Sequence, residues 1–215
     1  MWLQLQDTEE LKSMSKIQEA FKNKKAFIPF ITGGDPALDV TKKLLLAMQE
    51  AGADLIEVGI PFSDPIAEGP VIQEADERAL KGGCTTDKLF DAMKEIKDEM
   101  YVPRVFMTYV NAIYSYGKIA REAEGFLYCV SSLGVTGVRS EIKTDIGAMI
   151  RKVKEVSDIP CAVGFGIATP DQAKDMAAVA DGVIVGSAIV KIVAKYGEEC
   201  VPYVSDYVKS MKEAI

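Results

Sequence analysis

Residues 54–70 read DLIEVGIPFSDPIAEGP, an apolar run followed by a long loop that contains proline and acidic residues. The run, residues 54–60, is mostly aliphatic and has the length of a buried strand. Side chains alternate between the two faces of a strand, so Leu55, Glu57 and Gly59 share one face. A charge inside a buried strand is costly unless it has a partner or a chemical task. Two explanations of Glu57 therefore stay open: an ion pair with a structural lysine or arginine, or a general acid/base whose pKa is raised by its surroundings.

Apolar runs of this kind alternate with helical patterns along the chain. Six runs predict strands, over residues 26–32, 54–60, 103–110, 125–130, 160–165 and 181–185. Helical patterns cover residues 38–51, 71–80, 86–100, 118–124, 142–156, 170–179 and 198–214. This rhythm predicts βαβ units and a parallel sheet. Because the strands are continuously apolar, the sheet must carry helices on both faces or close into a barrel.

The glycines distinguish between these two architectures. A doubly wound sheet normally carries G-x-G-x-x-G after its first strand, whereas residues 32–36 here read TGGDP. Glycines instead follow the late strands, in residues 134–137, 164–167 and 186–188. Glycine lets backbone N–H groups approach a ligand closely, and a helix N-terminus adds donors and a positive dipole. Phosphate loops after late strands are typical of TIM barrels, so the pattern favours a barrel with an anion site.

Composition excludes several classes of function. The net charge of −7 argues against a nucleic-acid-binding surface. The chain has no histidine, which excludes histidine-dependent triads, histidine metal ligands and imidazole acid/base chemistry. The four cysteines are widely spaced, and no two of them form a C-x-x-C motif. We therefore expect neither a zinc site nor a disulfide framework.

Targeting signals and domain limits follow from the same sequence. No apolar stretch has the length of a membrane span, and the N-terminus lacks the basic start and long apolar core of a signal peptide. We therefore expect a cytoplasmic protein that binds no membrane. Met14 opens a more conventional start, so we expect residues 1–13 to be an N-terminal extension and residues 14–215 to form one βα barrel domain.

A second carboxylate lies in the loop that follows the Glu57 strand. Glu68 would ordinarily be a solvated loop residue. This loop, however, leaves the carboxyl end of the strand that bears Glu57, which is the active-site face of a barrel. Two carboxylates that approach one pocket can take opposite roles as acid and base.

Taken in order, the segments IPFITGGDP, ADLIEVGIPFSDPIAEGPVIQ, FMTYVNAIY, YCVSSLGVTG, VGFGI and VGSAIVK resemble the α subunit of tryptophan synthase. SDPIAEGP is the most specific of them. The resemblance covers most of residues 14–215. It implies a TIM barrel and a lyase of tryptophan biosynthesis. In that family, indole-3-glycerol phosphate is cleaved by a retro-aldol reaction to indole and glyceraldehyde 3-phosphate. For this chain we expect no cofactor and no metal.

The resemblance also implies the site residues. Glu57 matches the catalytic glutamate that shuttles protons beside the bond to be broken. Glu68 stands where an aspartate is common, so it is a variant of the second catalytic carboxylate, which faces the indole N–H. Positions that line the indole pocket are Phe30, Ile72, Met107, Tyr109, Tyr128 and Phe165. The mobile loop and phosphate cradle match Thr136, Gly137, Gly164, Gly166, Gly186 and Ser187.

The chain is shorter than the barrel that it resembles. A TIM barrel has eight βα units, and only six are predicted here. The family pattern runs to residues 114–117 and resumes at Lys118, in what resembles the helix before the sixth strand of the family. We therefore expect an internal deletion of about two βα units and an incomplete barrel.

The deletion leaves the strands predicted over residues 103–110 and 125–130 as the two edges. Three arrangements stay open: the six strands close into a tighter barrel, they pair with a second copy, or they stay open under the N-terminal extension. We favour completion by a homodimer, because parallel edges are rarely left bare.

Two classes of function follow. The first is the lyase, which acts on a small phosphate substrate. Its activity is lowered if the deletion disturbs the site. The second is a catalytically inactive relative that serves as a binding or homo-oligomeric module. Residues 61–65 and 111–114 resemble surfaces that the family presents to the β subunit of tryptophan synthase, which makes that subunit a further candidate partner.

Overall fold

The computed structural model describes residues 16–63, 65, 68–107, 125–130, 146–155, 158–164 and 166–215. The predicted extension over residues 1–13 and the predicted helix over 118–124 lie outside these described residues. The described strands form one parallel sheet in the order β3-β2-β1-β6-β5-β4. Their bounds are β1 Ala26–Thr32, β2 Ile56–Gly59, β3 Arg104–Met107, β4 Leu127–Val130, β5 Cys161–Gly164 and β6 Gly182–Val185. All six lie at predicted strands.

Helices follow the strands in the expected alternation. Their bounds are α1 Lys16–Ala20, α2 Leu38–Glu50, α3 Pro70–Lys81, α4 Thr86–Glu95, α5 Ile146–Lys154, α6 Pro170–Ala177, α7 Ser187–Tyr196 and α8 Val201–Lys212. The four cysteines are buried and free. No helix in the described ranges is both long and apolar enough to cross a bilayer.

Two helices differ from the sequence prediction. The pattern predicts a helix to residue 100, but α4 ends at Glu95, and turns follow. The second difference is α7, which the sequence analysis does not predict. Its sequence, SAIVKIVAKY, is apolar on most sides, and its start coincides with a glycine turn that reads as a ligand loop. In α7 the side chains of Ile189, Val190 and Val193 are buried. Neighbouring elements cover this mostly apolar run, and it forms a helix.

The two faces of the sheet form separate cores. Outward side chains such as Ile31 and Val58 pack beneath the helices. Inward side chains of β1, β5 and β6, together with Leu55 just before β2, form a second cluster, which includes Ile28. Val105 of β3 and Tyr128 of β4 both pack on this inner cluster, although their strands stand at opposite ends of the strand order. The sheet is therefore curled into an incomplete barrel, as the resemblance predicts.

The two ends of the sheet are the strands predicted as edges. Within the described part of the chain, β3 and β4 each pair with one neighbour, so a closed six-stranded barrel is not seen there. Every residue of β1, β2, β5 and β6 is buried, whereas no residue of β3 is. Phe106 of β3 is 37% exposed.

A buried carboxylate fastens the C-terminal helix beneath the sheet. Asp54 accepts hydrogen bonds from Lys24 Nζ at 2.6 Å and from Lys212 Nζ at 2.8 Å. It also accepts the backbone N–H of Phe27 at 2.8 Å. These contacts join α8 and β1 to the start of β2, the strand that carries Glu57. Two cations and a backbone donor satisfy the charge of Asp54, so its burial is tolerated.

Candidate active site

A cavity lies at the carboxyl ends of the strands. Five strands, the β2–α3 loop, α3 and the turns after β5 and β6 supply its walls. Its lining residues are Phe30, Glu57, Glu68, Ile72, Met107, Tyr128, Gly166, Ile167, Ile184, Gly186 and Ser187. Nine of these are predicted site residues. Ile167 and Ile184 are not, because a buried apolar residue looks the same in sequence whether it meets the core or a cavity.

Glu57 lies on the inner face of β2 and is 4% exposed. Its Oε2 atom has no hydrogen-bond partner among the described residues. Burial, assisted by the negative charge of Glu68, raises the pKa of the Glu57 carboxyl to about 7. No lysine or arginine in the described part of the chain pairs with it. The geometry therefore favours the acid/base explanation over the structural ion pair.

Glu68 reaches the same cavity from the end of the β2–α3 loop and is half-buried. Its backbone N–H donates to the carbonyl of Pro65 at 3.3 Å. Its own carbonyl accepts from Gln73 Nε2 at 2.8 Å. The next residue, Gly69, is the N-cap of α3. The backbone of Glu68 is thus held by α3, and its charge contributes to the raised pKa of Glu57.

Tyr128 brings the far edge of the sheet to the two carboxylates. Burial raises the pKa of its phenol, and the charges of Glu57 and Glu68 raise it further. The hydroxyl therefore keeps its proton at physiological pH. Phe30, Ile72 and Met107 supply apolar walls beside these polar groups. An apolar cavity with a few convergent polar groups is typical of a small-molecule site.

Glycine turns form the end of the cavity near β5 and β6. Gly166 has a φ of +91°, a conformation that glycine adopts without strain. Gly186 is the N-cap of α7 and has no side chain to cap the helix. The first N–H groups of a helix lack intrahelical partners and favour an anion. Their assignment to a phosphate cradle stays a prediction.

Gly164 of β5 lies beside the cavity without lining it. A Cβ atom built there would stand 2.8 Å from Cε1 of Tyr128 and closer still to the tyrosine hydroxyl. The glycine therefore makes room for the ring that joins β4 to the site.

Gly164→Ala is expected to destabilise the fold by about 1–3 kcal/mol, because the new methyl group and the Tyr128 ring cannot both fit. In a Tyr128→Ala background the same change should cost much less, since the ring is gone. Chemical denaturation of the four chains measures this coupling. Equal costs of Gly164→Ala in both backgrounds would contradict the packing described here.

Several predicted site residues cannot be placed. Tyr109, Thr136, Gly137 and Phe165 lie outside the described residues, as do residues 111–114. Among the residues that are described, no group of three or more cysteine, aspartate or glutamate side chains could hold a metal ion. The roles of all predicted site residues remain predictions.

Comparison with known proteins identifies the family. The family model described as "Tryptophan synthase alpha chain" matches residues 16–119 and 118–215. The chain belongs to the tryptophan synthase alpha chain family. The alpha chain of Lacticaseibacillus casei is 37% identical over 255 residues, which covers 94% of this chain and 96% of that one. The alpha chain of Halalkalibacterium halodurans is 38% identical over 241 residues and 86% of this chain. Family membership supports the lyase of tryptophan biosynthesis over the catalytically inactive alternative.

Solved structures of the family share the fold. Tryptophan synthase subunit alpha from Legionella pneumophila superimposes with a TM-score of 0.76 at 30% identity, covering 94% of this chain and 99% of that one. A chain from the tryptophan synthase α2β2 complex of Pyrococcus furiosus gives a TM-score of 0.73 at 32% identity, covering 86% and 97%. The described strands of this chain thus form a TIM-barrel-type α/β fold.

The comparisons bear on the predicted deletion. The alignment with the Lacticaseibacillus casei chain spans 255 positions, more than the 215 residues of this chain. That relative therefore has residues with no counterpart here. The family model also matches in two segments that meet at residues 118–119, the place where the family pattern resumes in the sequence. The loss of two complete βα units at this join stays a prediction.

Proposed function

We propose that this chain cleaves indole-3-glycerol phosphate to indole and glyceraldehyde 3-phosphate. The observation that carries the proposal is the Glu57 carboxyl, which is buried without a hydrogen-bond partner on Oε2 and faces a cavity shared with Glu68.

The reaction needs a group that gives and takes protons at one place. A proton must reach C3 of the indole ring, which makes an electron-poor indolenine. The glycerol hydroxyl then loses a proton as the C–C bond breaks, and the bonding electrons return to the indole ring. A carboxyl with a pKa of about 7 is present in both protonation states near neutral pH. Glu57 can therefore deliver the first proton and accept the second.

Glu68 supports the charge that develops during protonation. A carboxylate beside the indole N–H stabilises the positive charge of the indolenine. Its glutamate side chain is one methylene longer than the family's usual aspartate. The hydrogen bond from Gln73 to the Glu68 carbonyl fixes the backbone from which that longer side chain extends. The glycine turns at Gly166 and Gly186 supply the phosphate end of the site.

Indole release from indole-3-glycerol phosphate tests the proposal directly. We expect equal amounts of indole and glyceraldehyde 3-phosphate from the purified chain. The competing function is a catalytically inactive module, favoured by the exposed β3 edge. A chain that binds a substrate analogue but releases no indole, alone or with a tryptophan synthase β subunit, would establish that function instead.

We propose two protein partners. The first is a second copy of this chain, which would cover the edges β3 and β4. The second is a tryptophan synthase β subunit, since the Pyrococcus furiosus relative is described in an α2β2 complex. Phe62 and Ser63 of the β2–α3 loop are exposed and available to such a partner. Addition of a β subunit should raise the rate of indole release, and an unchanged rate with no co-elution would contradict this pairing.

A further inference from the structure

A groove lies between α4 and β3 on the outer face of the sheet, and the proposed reaction does not use it. Arg104 and Phe106 project to this face, because Val105 between them packs on the inner cluster. The ring of Phe106 lies 4.8 Å from the ring of Phe90 on α4. Nη1 of Arg104 lies 3.5 Å from the carbonyl oxygen of Met93, also on α4. These contacts define the β3–α4 groove.

The β3–α4 groove is basic. Lys16, Lys94, Lys97 and Arg104 line it, and no acidic residue is among its described lining residues, although the net charge of the chain is −7. Lys94 pairs with Asp91 at 2.9 Å. Arg104 is half-buried, and burial lowers its pKa, yet no carboxylate in the described part of the chain pairs with it. A partly desolvated cation without a counter-charge favours an anionic occupant.

The floor of the groove is apolar. Met93, Met100 and Val102 lie beside the ring pair of Phe90 and Phe106, which are 36% and 37% exposed. Exposed apolar side chains that lie together, with polar groups around them, mark an interaction surface. The groove therefore suits an occupant that carries both apolar and acidic side chains.

Residues 1–15 of this chain, MWLQLQDTEELKSMS, have that composition. Residues 2–5, WLQL, are mostly apolar, and residues 7–10, DTEE, are mostly acidic. The segment leads into Lys16, which itself lines the groove. A fully extended chain spans at most about 3.5 Å per residue, so residue 7 can lie roughly 30 Å from Lys16. Strand β3 has four residues and is roughly 13 Å long, so the acidic residues can reach all four cations.

We propose that residues 1–15 bind in the β3–α4 groove of the same chain, with residues 7–10 against its cations and residues 2–5 on its apolar floor. The acidic side chains then supply the counter-charge that Arg104 lacks. The segment covers the α4 side of β3 and leaves the main-chain groups of its edge to a second copy. The contact is thus compatible with the homodimer proposed above, and it does not depend on the lyase activity.

Two other occupants fit the groove less well. Residues 108–124, which follow β3, carry Lys118 and Arg121 against Glu122 and Glu124, so they offer no excess of negative charge. A second copy that met the groove with its own groove across a two-fold axis would bring the same cations together. Like charges at such a contact repel each other.

Trp2 is the only tryptophan of the chain, so its fluorescence reports on the segment alone. In the unmodified protein we expect emission at shorter wavelength than in the urea-unfolded chain, and quenching by acrylamide that is about twofold or more weaker. Salt at about 1 M should shift the emission to longer wavelength, because it screens exposed charges beyond about 3 Å. Equal quenching of the native and the unfolded chain would overturn the proposal.

Charge reversal tests whether the β3–α4 groove is the binding site. The pair Lys94→Glu and Lys97→Glu should expose Trp2 to acrylamide, and so should the pair Glu9→Lys and Glu10→Lys. When all four changes are combined, opposite charges face each other again, and the protection of Trp2 should return. Its return would also show that the separate reversals left the fold intact.

The matched control is Lys174→Glu with Lys209→Glu, two exposed lysines on α6 and α8 whose reversal changes the net charge equally. It should leave Trp2 protected. Protection that survives reversal of the groove, or that does not return in the combined variant, would overturn the proposal. Protection that is lost on dilution together with half of the mass in light scattering would place the segment on a second copy, which also overturns it.

Discussion

Glu57→Gln is expected to lower indole release by about 10²–10⁴-fold. The amide has the shape of the carboxyl but cannot deliver or accept a proton near neutral pH. The loss should appear in kcat, because the group acts on the bond that breaks and not on the walls that hold the ring. Retention of most of the activity would show that the Glu57 carboxyl is not the proton shuttle.

The same substitution is expected to stabilise the protein above neutral pH. The pKa of Glu57 is about 7 in the fold and 4.5 in the unfolded chain. Between these values the fold holds a proton that the unfolded chain has released, so the free energy of unfolding falls as pH rises from about 4.5 to 7. A neutral glutamine escapes this loss. At pH 8 the variant should therefore be more stable by about 3 kcal/mol, and near pH 4.5 the gain should vanish.

Urea denaturation at pH 4.5 and pH 8 measures this difference. The pKa of Asp76 is raised as well. The Glu57→Gln variant should therefore keep the part of the pH dependence that comes from Asp76. Glu77→Gln is the control, since Glu77 is exposed and forms a surface ion pair with Lys81 at 3.0 Å. A Glu57→Gln protein that is less stable than the unmodified chain at pH 8 would mean that the charged carboxylate has a stabilising partner.

Loss of activity with a gain in stability is the result that separates a catalytic carboxylate from a structural one. A structural ion pair gives the opposite sign, because removal of one charge leaves its partner buried and unpaired. Asp54 illustrates that case in this chain. It is as buried as Glu57, but it accepts from two lysines and a backbone N–H.

Sequence patterns predicted the strands well and their ends less well. The run over residues 26–32 matches β1, because Lys25 and Gly33 bound an apolar stretch sharply. Strand β2 begins at Ile56, two residues after its predicted start. Strand ends depend on where a neighbouring strand continues the hydrogen-bond ladder, and the side-chain pattern of one strand does not record that.

The site was predictable where alternation or a motif pointed to it. Glu57 is an acidic residue in an apolar run, and alternation placed it on one face with Leu55 and Gly59; the motif that follows the run pointed to that face as the active-site side. Ile184 belongs to the same cavity but reads as an ordinary core residue. Asp76 reads as one more acidic residue on an amphipathic helix. Only the fold shows that it is buried.

The second large effect that we expect is the loss of a homodimer when an edge strand of the sheet is altered. Unpaired buried backbone groups cost roughly 1–3 kcal/mol each, and several of them would exceed a domain's stability of about 5–15 kcal/mol. A two-fold arrangement of two copies would cover the edges of both. We therefore expect a homodimer whose interface includes residues 103–110 and 125–131. Residues 108–110 and 131 lie outside the described residues.

Phe106 marks this surface on β3. Its ring lies 4.8 Å from the ring of Phe90, and the two residues are 37% and 36% exposed. Exposed aromatic side chains beside an edge strand are typical of an interface. We expect the protein to elute at about twice its chain mass of 23.4 kDa in light scattering at low micromolar concentration.

Phe106→Glu should convert this dimer to a monomer that is much less stable, because a charge would be buried between the copies. Val179→Glu is the matched control, since Val179 is 44% exposed and lies between α6 and β6, outside the residues proposed for the interface. It should leave both the mass and the stability unchanged. A well-folded monomer of the unmodified chain at the same concentration would contradict the dimer. In that case the edges β3 and β4 must be covered by residues of the same chain, and Phe106→Glu should then leave the mass unchanged while it still lowers stability.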